Sequence, residues 1–242
     1  MIPLTLLILS LGGAAAAQDV PASAAQINLS FAPVVRRAAP AVVNVYARVM
    51  RQSVNPFFQM FGPPQAAKSL GSGVIVRADG VIVTNNHVIA GGDDIMVALG
   101  DRREFPAKVL FADPKVDVAV LKIDAAGEQL PVMPLATGDQ SQVGDLVLAI
   151  GDPFGLGQTV TNGIVSALAR SNVGVTDVSY FIQTDAAINP GNSGGALVTT
   201  DGKLAGINTA IVSRSGGNVG IGFAIPANLA RRVVEGAFRP LR

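Results

Sequence analysis

The sequence predicts an all-β protein made of two similar halves. Glycine is abundant, with 27 residues among 242, and only 14% of the chain is charged. Valine and isoleucine recur in short runs, which is typical of a globular, strand-rich protein with many turns. About six such runs lie on each side of one linker, residues 124–134. Short strands at regular spacing indicate a sandwich or a barrel.

The first half begins with a short helix and continues as strands. Residues 31–40 have a helical pattern that ends at Pro40. Strands are predicted at 42–49, 73–76, 81–84, 95–99, 104–111 and 118–123, and Asp79-Gly80 is a strong hairpin signal. Residues 50–70 place aromatic residues among prolines and predict a long insertion loop. Its apolar residues either form a contact surface or pack into the loop itself.

The second half repeats the strand pattern and closes with a helix. Strands are predicted at 146–151, 158–169, 180–184, 196–199, 204–210 and 221–225. Residues 226–236 predict a helix that begins at Pro226, ends at Gly236 and carries Leu229 and Val233 on one face. We therefore expect one domain at 31–126, a second at 127–236, and a tail at 237–242.

The first residues read as an export signal. Residues 2–11 are apolar, and Ala15 and Ala17 fit the small-x-small rule for cleavage before Gln18. The apolar run is shorter than the roughly 20 residues of a membrane span, but no Lys or Arg precedes it. We expect residues 1–17 to be a cleaved signal peptide, with an uncleaved inner-membrane anchor as the alternative. Residues 18–30 are predicted to be a flexible segment.

Composition excludes several classes of function. The chain has no cysteine, so disulfides, thiol chemistry and cysteine-based zinc sites are excluded. One histidine leaves little with which to build a transition-metal site, and a net charge of +1 gives no electrostatic footprint for nucleic acid. We expect no metal and no cofactor. Export without disulfides favours a periplasm over a eukaryotic secretory lumen.

Residues 189–197 (NPGNSGGAL) form the most informative stretch of the chain. Ser193 lies between Gly-Asn and Gly-Gly, and the glycines on both sides allow a tight turn and a close approach to a ligand. Such a turn can direct the amides of Gly191 and Ser193 into one small space, as an oxyanion hole requires. The alternative is an ordinary loop that joins two strands.

A nucleophilic serine needs a base, and His87 is the only histidine. It directly follows a predicted strand, although a lone histidine beside an apolar run is more often structural. A carboxylate must then orient the imidazole, and Asp117 precedes a continuous apolar strand. Asp113 reads as a turn residue beside a proline, and Asp124 lies at the far end of the strand and is expected to be solvated.

The order His87, Asp117, Ser193 is that of chymotrypsin-like enzymes. Between about residues 31 and 235 the chain resembles the protease domain of the HtrA/Deg serine proteases. The motifs that carry the resemblance are TNNHV at 84–88, DVAVL at 117–121, GLGQTVT at 155–161, QTDAAIN at 183–189 and GNSGGAL at 191–197. The resemblance implies a chymotrypsin-like double β-barrel, with two six-stranded barrels and short terminal helices.

The same resemblance assigns roles to the site residues. It implies His87 as general base, Asp117 as its orienting group and Ser193 as nucleophile. It implies an oxyanion hole formed by the amides of Gly191 and Ser193, with Asn192 nearby. It also implies a sensor loop at 170–177, an activation loop at 188–191 and a third loop at 212–219, each of which could instead be a plain hairpin turn.

Specificity can be argued from the residues before the nucleophile. Chymotrypsin-like enzymes that select Arg or Lys carry a carboxylate six residues before the nucleophile, and here that residue is Ala187. A largely apolar pocket lining is expected, which favours Val, Ala, Ile or Leu at the cleavage site. The candidate lining residues are Ile188, Asn208, Thr209 and Ala210. The nearby acid, Asp185, is expected to anchor a loop.

The expected function is an ATP-independent endopeptidase of extracytoplasmic protein quality control, which cleaves unfolded or exposed polypeptides. The alternatives are a membrane-anchored regulatory protease with a narrow substrate, a chaperone-like binder of unfolded chains with a latent triad, and a β-barrel without catalysis. The resemblance further implies a homotrimer assembled through the N-terminal segment, with Phe31 and Tyr46 as contacts.

Two features depart from the family pattern. HtrA proteases usually carry a PDZ domain after the protease domain, whereas this sequence ends at Arg242, so we expect a truncated or naturally PDZ-free form. Asp152 stands where asparagine is commoner.

Overall fold

The computed structural model describes residues 30–49, 67–92, 94–136, 141–152, 157–170, 181–189, 191–211 and 220–238. The first half contains α1 (Ala32–Ala38), a 3₁₀ helix (Ala39–Ala41), β1 (Val42–Val49), β2 (Ala67–Arg77), β3 (Val81–Thr84), α2 (Asn86–Ile89), β4 (Asp94–Ala98), β5 (Glu104–Asp113) and β6 (Val118–Ile123). The second half contains β7 (Leu146–Gly151), β8 (Thr159–Arg170), β9 (Phe181–Thr184), β10 (Ala196–Thr199), β11 (Leu204–Ile211), β12 (Gly222–Pro226) and α3 (Ala227–Ala237).

Each half closes into a six-stranded antiparallel barrel. The strand order is β1-β2-β3-β6-β5-β4 in the first barrel and β10-β11-β12-β9-β8-β7 in the second. Closure leaves no strand with an unpaired edge, which removes a hazard of open sheets. The predicted all-β double barrel is confirmed, and so is the predicted β2–β3 hairpin.

A continuous apolar core runs through both barrels. Ile82 and Leu121 are direct cross-strand partners on β3 and β6, and both side chains are fully buried. Phe181 and Phe223 meet edge to face in the second barrel, with ring centroids 6.0 Å apart. Burial of one such side chain contributes about 1.5–3 kcal/mol, so the valine- and isoleucine-rich strands account for the stability of the barrels.

The linker and the last helix join the two barrels firmly. Leu130 and Met133 of the predicted linker are buried in the core, and their amides donate to main-chain carbonyls of the first barrel. Helix α3 belongs to the second half but packs against β5 and β6 as well as β11. Its buried residues include Ala230 and Val233. The relative position of the barrels is therefore fixed by packed side chains.

Several boundaries differ from the sequence prediction, most of them by one or two residues, and the largest difference is at the start of β2. Strand β2 begins at Ala67, so residues 67–70 are strand and not part of the expected loop 50–70; residues 50–66 lie outside the described residues. The cause is β1, which is long enough to pair as far as Val49 with Ala67. The first helix changes to a 3₁₀ turn that continues past Pro40, and α3 ends one residue after Gly236.

Phe31 and Tyr46, the residues expected at a trimer interface, both make contacts within this chain. Phe31 packs against the core, and Tyr46 is buried with its hydroxyl donating to Glu104 Oε2 at 2.8 Å. The expected sensor loop beyond residue 170 and the third loop, 212–219, lie outside the described residues. Among the helices of the described ranges, none has the length and apolar character to cross a membrane. Residues 1–29, with the expected signal peptide, are outside those ranges.

Candidate active site

His87 and Asp117 are brought together at one end of the first barrel. Residue His87 lies on α2, a single helical turn that follows β3, rather than in an open loop. The turn is tied to Asp117, because the Asn85 side-chain amide and the Asn86 main-chain amide both donate to the Asp117 carbonyl, at 3.0 and 3.2 Å. These two bonds hold the residues just before His87 against the main chain of Asp117.

The Asp117 carboxylate is buried and accepts three hydrogen bonds. Its Oδ1 accepts the His87 main-chain N–H at 2.9 Å, and its Oδ2 lies 2.8 Å from His87 Nδ1. The Thr209 hydroxyl donates to the same Oδ2 at 2.7 Å. A buried carboxylate needs such donors because it has lost its hydration. Asp117 also has a φ of 54°, an uncommon value for a non-glycine residue that these contacts maintain.

The pairing determines which imidazole nitrogen can act as a base. Since Asp117 Oδ2 is a carboxylate oxygen, Nδ1 of His87 donates and carries the proton in the neutral ring. The other nitrogen, Nε2, then has its lone pair free to accept a proton. The side chain of Asp117 is 5% exposed and that of His87 is 47% exposed, so a buried acid anchors an accessible imidazole.

Ser193 lies in a tight turn between β9 and β10 of the second barrel. Gly191 and Gly194 flank it with φ values of 97° and 83°, a region that favours glycine. The Ser193 hydroxyl donates to the Thr209 carbonyl at 3.0 Å. Within the described residues it makes no hydrogen bond with His87. In this structure the hydroxyl proton is therefore directed at the Thr209 carbonyl and not at the imidazole.

The turn leaves two amides without an acceptor among the described residues, those of Gly191 and Ser193. Asn192 is different, because its amide donates to the Asn189 carbonyl at 3.0 Å. Its side chain is buried, and Oδ1 faces Gly151 with no partner in the part of the chain that is described. The amides that the sequence assigned to an oxyanion hole are thus the ones still able to donate.

The four candidate pocket residues have different surroundings. Ile188 is buried beside Gly222, where an added Cβ would lie 2.9 Å from Ile188 Cδ1. The Asn208 side chain is buried and donates to the Ala196 carbonyl at 3.0 Å. The hydroxyl of Thr209 donates to the Asp117 carboxylate at 2.7 Å. Nothing is described of the Ala210 side chain.

The segment that precedes Ser193 is held by strand β8. Thr161 donates its hydroxyl to the Ala187 carbonyl at 2.8 Å. Asp185 Oδ1 accepts the Ile164 amide at 2.7 Å, so Asp185 anchors this segment as predicted. Main-chain and side-chain bonds to β8 therefore shape the wall that precedes Ser193.

Thr209 has a role at the site that the sequence did not reveal. Its hydroxyl donates to Asp117 on the first barrel, and its carbonyl accepts the hydroxyl of Ser193 on the second. It thus contacts both Asp117 and Ser193. A threonine in a predicted strand gives no local signal of such a role, because β-branched residues are ordinary there.

One acid close to the turn at residues 191–195 has a perturbed pKa. Burial raises the pKa of Asp152, which is 8% exposed and follows β7 directly. Its carboxylate accepts the Gly157 amide at 3.2 Å, and none of the ion pairs in the described region involves it. The Gly157 amide therefore offsets only part of the cost of burying the charged Asp152 carboxylate.

Comparison with known proteins identifies the same architecture. A family model described as the trypsin-like peptidase domain matches residues 71–207. The periplasmic pH-dependent serine endoprotease DegQ of Escherichia coli is 46% identical over 217 residues, which cover 85% of this chain and 48% of DegQ. The periplasmic serine endoprotease DegP of Salmonella typhimurium is 53% identical over 175 residues, which cover 72% of this chain and 37% of DegP.

Solved structures agree with the sequence matches. The HtrA-type protease AlgW with a tripeptide superimposes with a TM-score of 0.76 at 53% identity, covering 86% of this chain and 63% of that one. AlgW with a decapeptide gives a TM-score of 0.74 at 51% identity, covering 86% and 67%. The chain spans about half or less of the curated relatives named above. It belongs to the trypsin-like peptidases and, within them, to the HtrA/Deg family, of which it covers the protease-domain region.

Proposed function

We propose that this chain is a serine endopeptidase that acts through His87, Asp117 and Ser193. The observation that carries the proposal is the buried Asp117 carboxylate, which accepts both the main-chain N–H and Nδ1 of His87. This pairing leaves Nε2 as the base and supplies a negative charge to stabilise the imidazolium that forms.

Acylation uses residues from both barrels. The Ser193 hydroxyl passes its proton to His87 Nε2 while its oxygen attacks the carbonyl carbon of the scissile peptide. The oxygen of the tetrahedral intermediate takes hydrogen bonds from the Gly191 and Ser193 amides. The imidazolium, held by Asp117, then gives the proton to the departing amine as the C–N bond breaks. An ester of Ser193 remains.

Deacylation reverses the proton path with water. A water molecule gives a proton to His87 Nε2 and attacks the ester carbon, and the same amides bind the oxyanion. The C–O bond to Ser193 breaks, and the imidazolium returns the proton to the serine oxygen. The products are a carboxylic acid and an amine, and the scheme requires neither a nucleotide nor an oxidant.

The proposed substrates are unfolded or exposed polypeptides, cleaved after small or medium aliphatic residues. The support is chemical: Ala187 provides no charge for Lys or Arg, Ile188 is apolar and buried, and Asp185 is engaged by the Ile164 amide. Mass-spectrometric mapping of casein cut sites tests this, and cleavage confined to Lys and Arg would overturn it. Ala187→Asp is the matched variant, which we expect to move cleavage toward Lys and Arg.

We further propose that the protein works in the periplasm as a quality-control protease and assembles as a homotrimer through its N-terminal segment. DegQ and DegP, two of the relatives named above, are described as periplasmic enzymes. A membrane-anchored regulatory protease is the alternative if residues 1–17 remain attached. Intact-mass measurement of the exported chain, after fractionation into periplasm and membrane, distinguishes the two. Sedimentation of the same sample tests the trimer.

A chaperone-like binder with a latent triad is the second candidate. It is favoured by the Ser193 hydroxyl, which donates to the Thr209 carbonyl and not to His87. The test compares wild-type protein with Ser193→Ala on casein and in an aggregation-suppression assay. We expect wild-type protein to cleave casein and to react with a fluorophosphonate at Ser193, and the variant to do neither. If both forms suppress aggregation and neither cleaves, the protease proposal is wrong and the binder is favoured.

A further inference from the structure

Two polar residues interrupt the apolar strands of the first barrel at one level. Asn44 on β1 and Ser72 on β2 are directly opposite in the strand register, and both are buried. Strand β7 of the second barrel packs against β1 and β2. The Asn44 side chain donates to the Asp152 carbonyl at 2.8 Å and to the Gly71 carbonyl at 3.3 Å. This pair thus forms a buried polar contact between the barrels.

Ser72 connects this contact directly to the nucleophile turn. Its hydroxyl accepts the Asp152 amide at 2.8 Å and donates to the Gly191 carbonyl at 2.7 Å. Its own amide donates to the Ser193 carbonyl at 2.7 Å. The approach is close, because a Cβ added at Gly194 would overlap the Ser72 carbonyl oxygen. Ser72 therefore holds two carbonyls of the turn, one by its side chain and one by its main chain.

Carbonyl direction decides whether the turn can bind an oxyanion. A peptide unit is planar, with its C=O and N–H on opposite sides, so a rotated unit exchanges a donor for an acceptor. A carbonyl turned into the oxyanion site would oppose the charge that develops there. The Gly191 carbonyl shares its peptide unit with the Asn192 amide, and this unit can rotate readily because Gly191 lacks a Cβ and has a φ of 97°.

Four carbonyls of the turn, those of Asn189, Gly191, Asn192 and Ser193, each have a donor, and Pro190 lies outside the described residues. The Asn189 carbonyl accepts the Asn192 amide, and the Asn192 carbonyl accepts the Gly195 amide. The remaining two, of Gly191 and Ser193, are the ones that Ser72 holds. The turn supplies two of the restraints from within itself, and the first barrel supplies the other two.

We propose that Ser72 is a positioning residue of the protease reaction. Through its hydroxyl it keeps the Gly191 carbonyl directed away from the oxyanion site, so that the Gly191 and Ser193 amides stay available to the transition state. The Asp152 amide fixes the hydroxyl as an acceptor and so directs its proton to Gly191. This inference rests on the proposed serine-protease mechanism and adds a residue of the first barrel to it.

The test compares Ser72→Ala, Ser72→Cys and Ile123→Val in the full chain. Ser72→Ala removes the hydroxyl, and Ser72→Cys keeps a weak donor. Ile123→Val removes one methyl group from the core of the same barrel, far along the chain from the turn, and is the control for lost stability. Turnover of a peptide with valine at the cleavage site is measured per active site titrated with a fluorophosphonate.

We expect Ser72→Ala to lower kcat by about 10- to 100-fold with KM nearly unchanged, because the lost interaction acts on the transition state. Inhibition by the matching peptide boronate, which forms a tetrahedral adduct, should weaken by a similar factor. Ser72→Cys should be intermediate, and Ile123→Val should retain its kcat. An unchanged kcat per titrated site in Ser72→Ala would overturn the proposal.

A further readout separates this inference from the proposed function. If wild-type protein and Ser193→Ala both fail to cleave, the protease proposal fails, and the turn is then judged by its amide resonances. The ¹⁵N–¹H signals of Gly191 and Ser193 should move in Ser72→Ala and stay in place in Ile123→Val. Signals that stay in place in both variants would show that the Ser72 hydroxyl does not position the turn.

Discussion

Replacing Asp117 by asparagine is the sharpest test of the triad, because the structure predicts how the new amide will be oriented. The carboxylate accepts three donors: the His87 main-chain N–H at Oδ1, and His87 Nδ1 and the Thr209 hydroxyl at Oδ2. An amide has one oxygen and one NH₂ group, so it must direct a donor toward at least one of these groups.

One of the two orientations keeps every hydrogen bond. With the amide oxygen toward the His87 main-chain N–H, the NH₂ group donates to Nδ1, and the Thr209 hydroxyl can turn to accept. The reverse orientation places NH₂ against the main-chain N–H and leaves a buried donor unsatisfied, at a cost of about 1–3 kcal/mol. The first orientation is therefore preferred by roughly five- to 150-fold.

The preferred orientation changes the tautomer of the imidazole. An NH₂ group facing Nδ1 requires that nitrogen to be the acceptor, so the ring proton moves to Nε2, which can no longer accept a proton from Ser193. In the Ser-His-Asp template this substitution lowers kcat about 10⁴-fold, which corresponds to about 5.4 kcal/mol of activation free energy. The loss of stability should be small in comparison, because the hydrogen bonds and the side-chain volume are kept.

The assay is steady-state cleavage of a valine-containing peptide by Asp117→Asn, with thermal unfolding of the same sample. Asp124→Asn is the matched control, because Asp124 is an exposed acid just after the other end of strand β6. We expect wild-type kcat for the control and a loss of about 10⁴-fold for Asp117→Asn at a similar melting temperature. A kcat within tenfold of wild type would refute the assignment of Asp117.

Three further substitutions have defined outcomes. Thr209→Val removes a 2.7 Å hydrogen bond to a buried carboxylate, so the free energy of unfolding in urea should fall by about 1.5–3 kcal/mol, and kcat should fall with it. Burial raises the pKa of Asp152, so ionisation of this group destabilises the fold above that pKa. Asp152→Asn should therefore melt at a higher temperature than wild type at pH 7, with a difference that shrinks as the pH falls toward about 4. Gly194→Ala should fail to fold, as judged by circular dichroism, because its φ is 83° and the new methyl group would overlap the Ser72 carbonyl oxygen.

Each of these predictions has a control. Thr209→Ser keeps the hydroxyl and should restore most of the kcat that Thr209→Val loses; a deficit equal to that of Thr209→Val would contradict the assigned bond. Equal melting temperatures of wild type and Asp152→Asn at pH 7 would show that the charged carboxyl is well solvated. Gly127→Ala shares a positive φ of 86° but has open space around it, so it isolates the backbone cost of about 1 kcal/mol. Similar stabilities of Gly127→Ala and Gly194→Ala would contradict the close approach.

Strand positions could be predicted wherever side-chain pattern and pairing agree. Strands β3 and β6 have the predicted bounds because their valine and isoleucine runs end at turn-forming residues. Strand β2 begins earlier than predicted because residues 67–70 carry no alternating pattern and are placed by pairing with β1. Backbone pairing with a longer neighbour leaves no trace in the local sequence, so this boundary required the folded structure.

At the site, sequence reasoning found the residues whose chemistry is rare in the chain. The single histidine stands out by its type, and Ser193 stands out by the glycines at 191, 194 and 195 around it. Thr209 and Ser72 do not, because Ser and Thr are common in strands and act here through contacts with residues 92 and 119 positions away. Their roles depend on how the two barrels meet, and no local pattern encodes that arrangement.

The resting position of the Ser193 hydroxyl bears on the choice between a protease and a latent binder. The bond to the Thr209 carbonyl is a neutral hydrogen bond, and its net contribution is about 0.5–1.5 kcal/mol. Breaking it to reach His87 would slow acylation by no more than about tenfold, because 1.4 kcal/mol corresponds to one factor of ten. True latency would need a larger change, such as loss of the His87–Asp117 pair or rotation of the Gly191 carbonyl into the oxyanion site. Both of those groups are held by hydrogen bonds in this structure. The hydroxyl orientation is therefore compatible with an active enzyme, and the arrangement of the surrounding groups favours the protease.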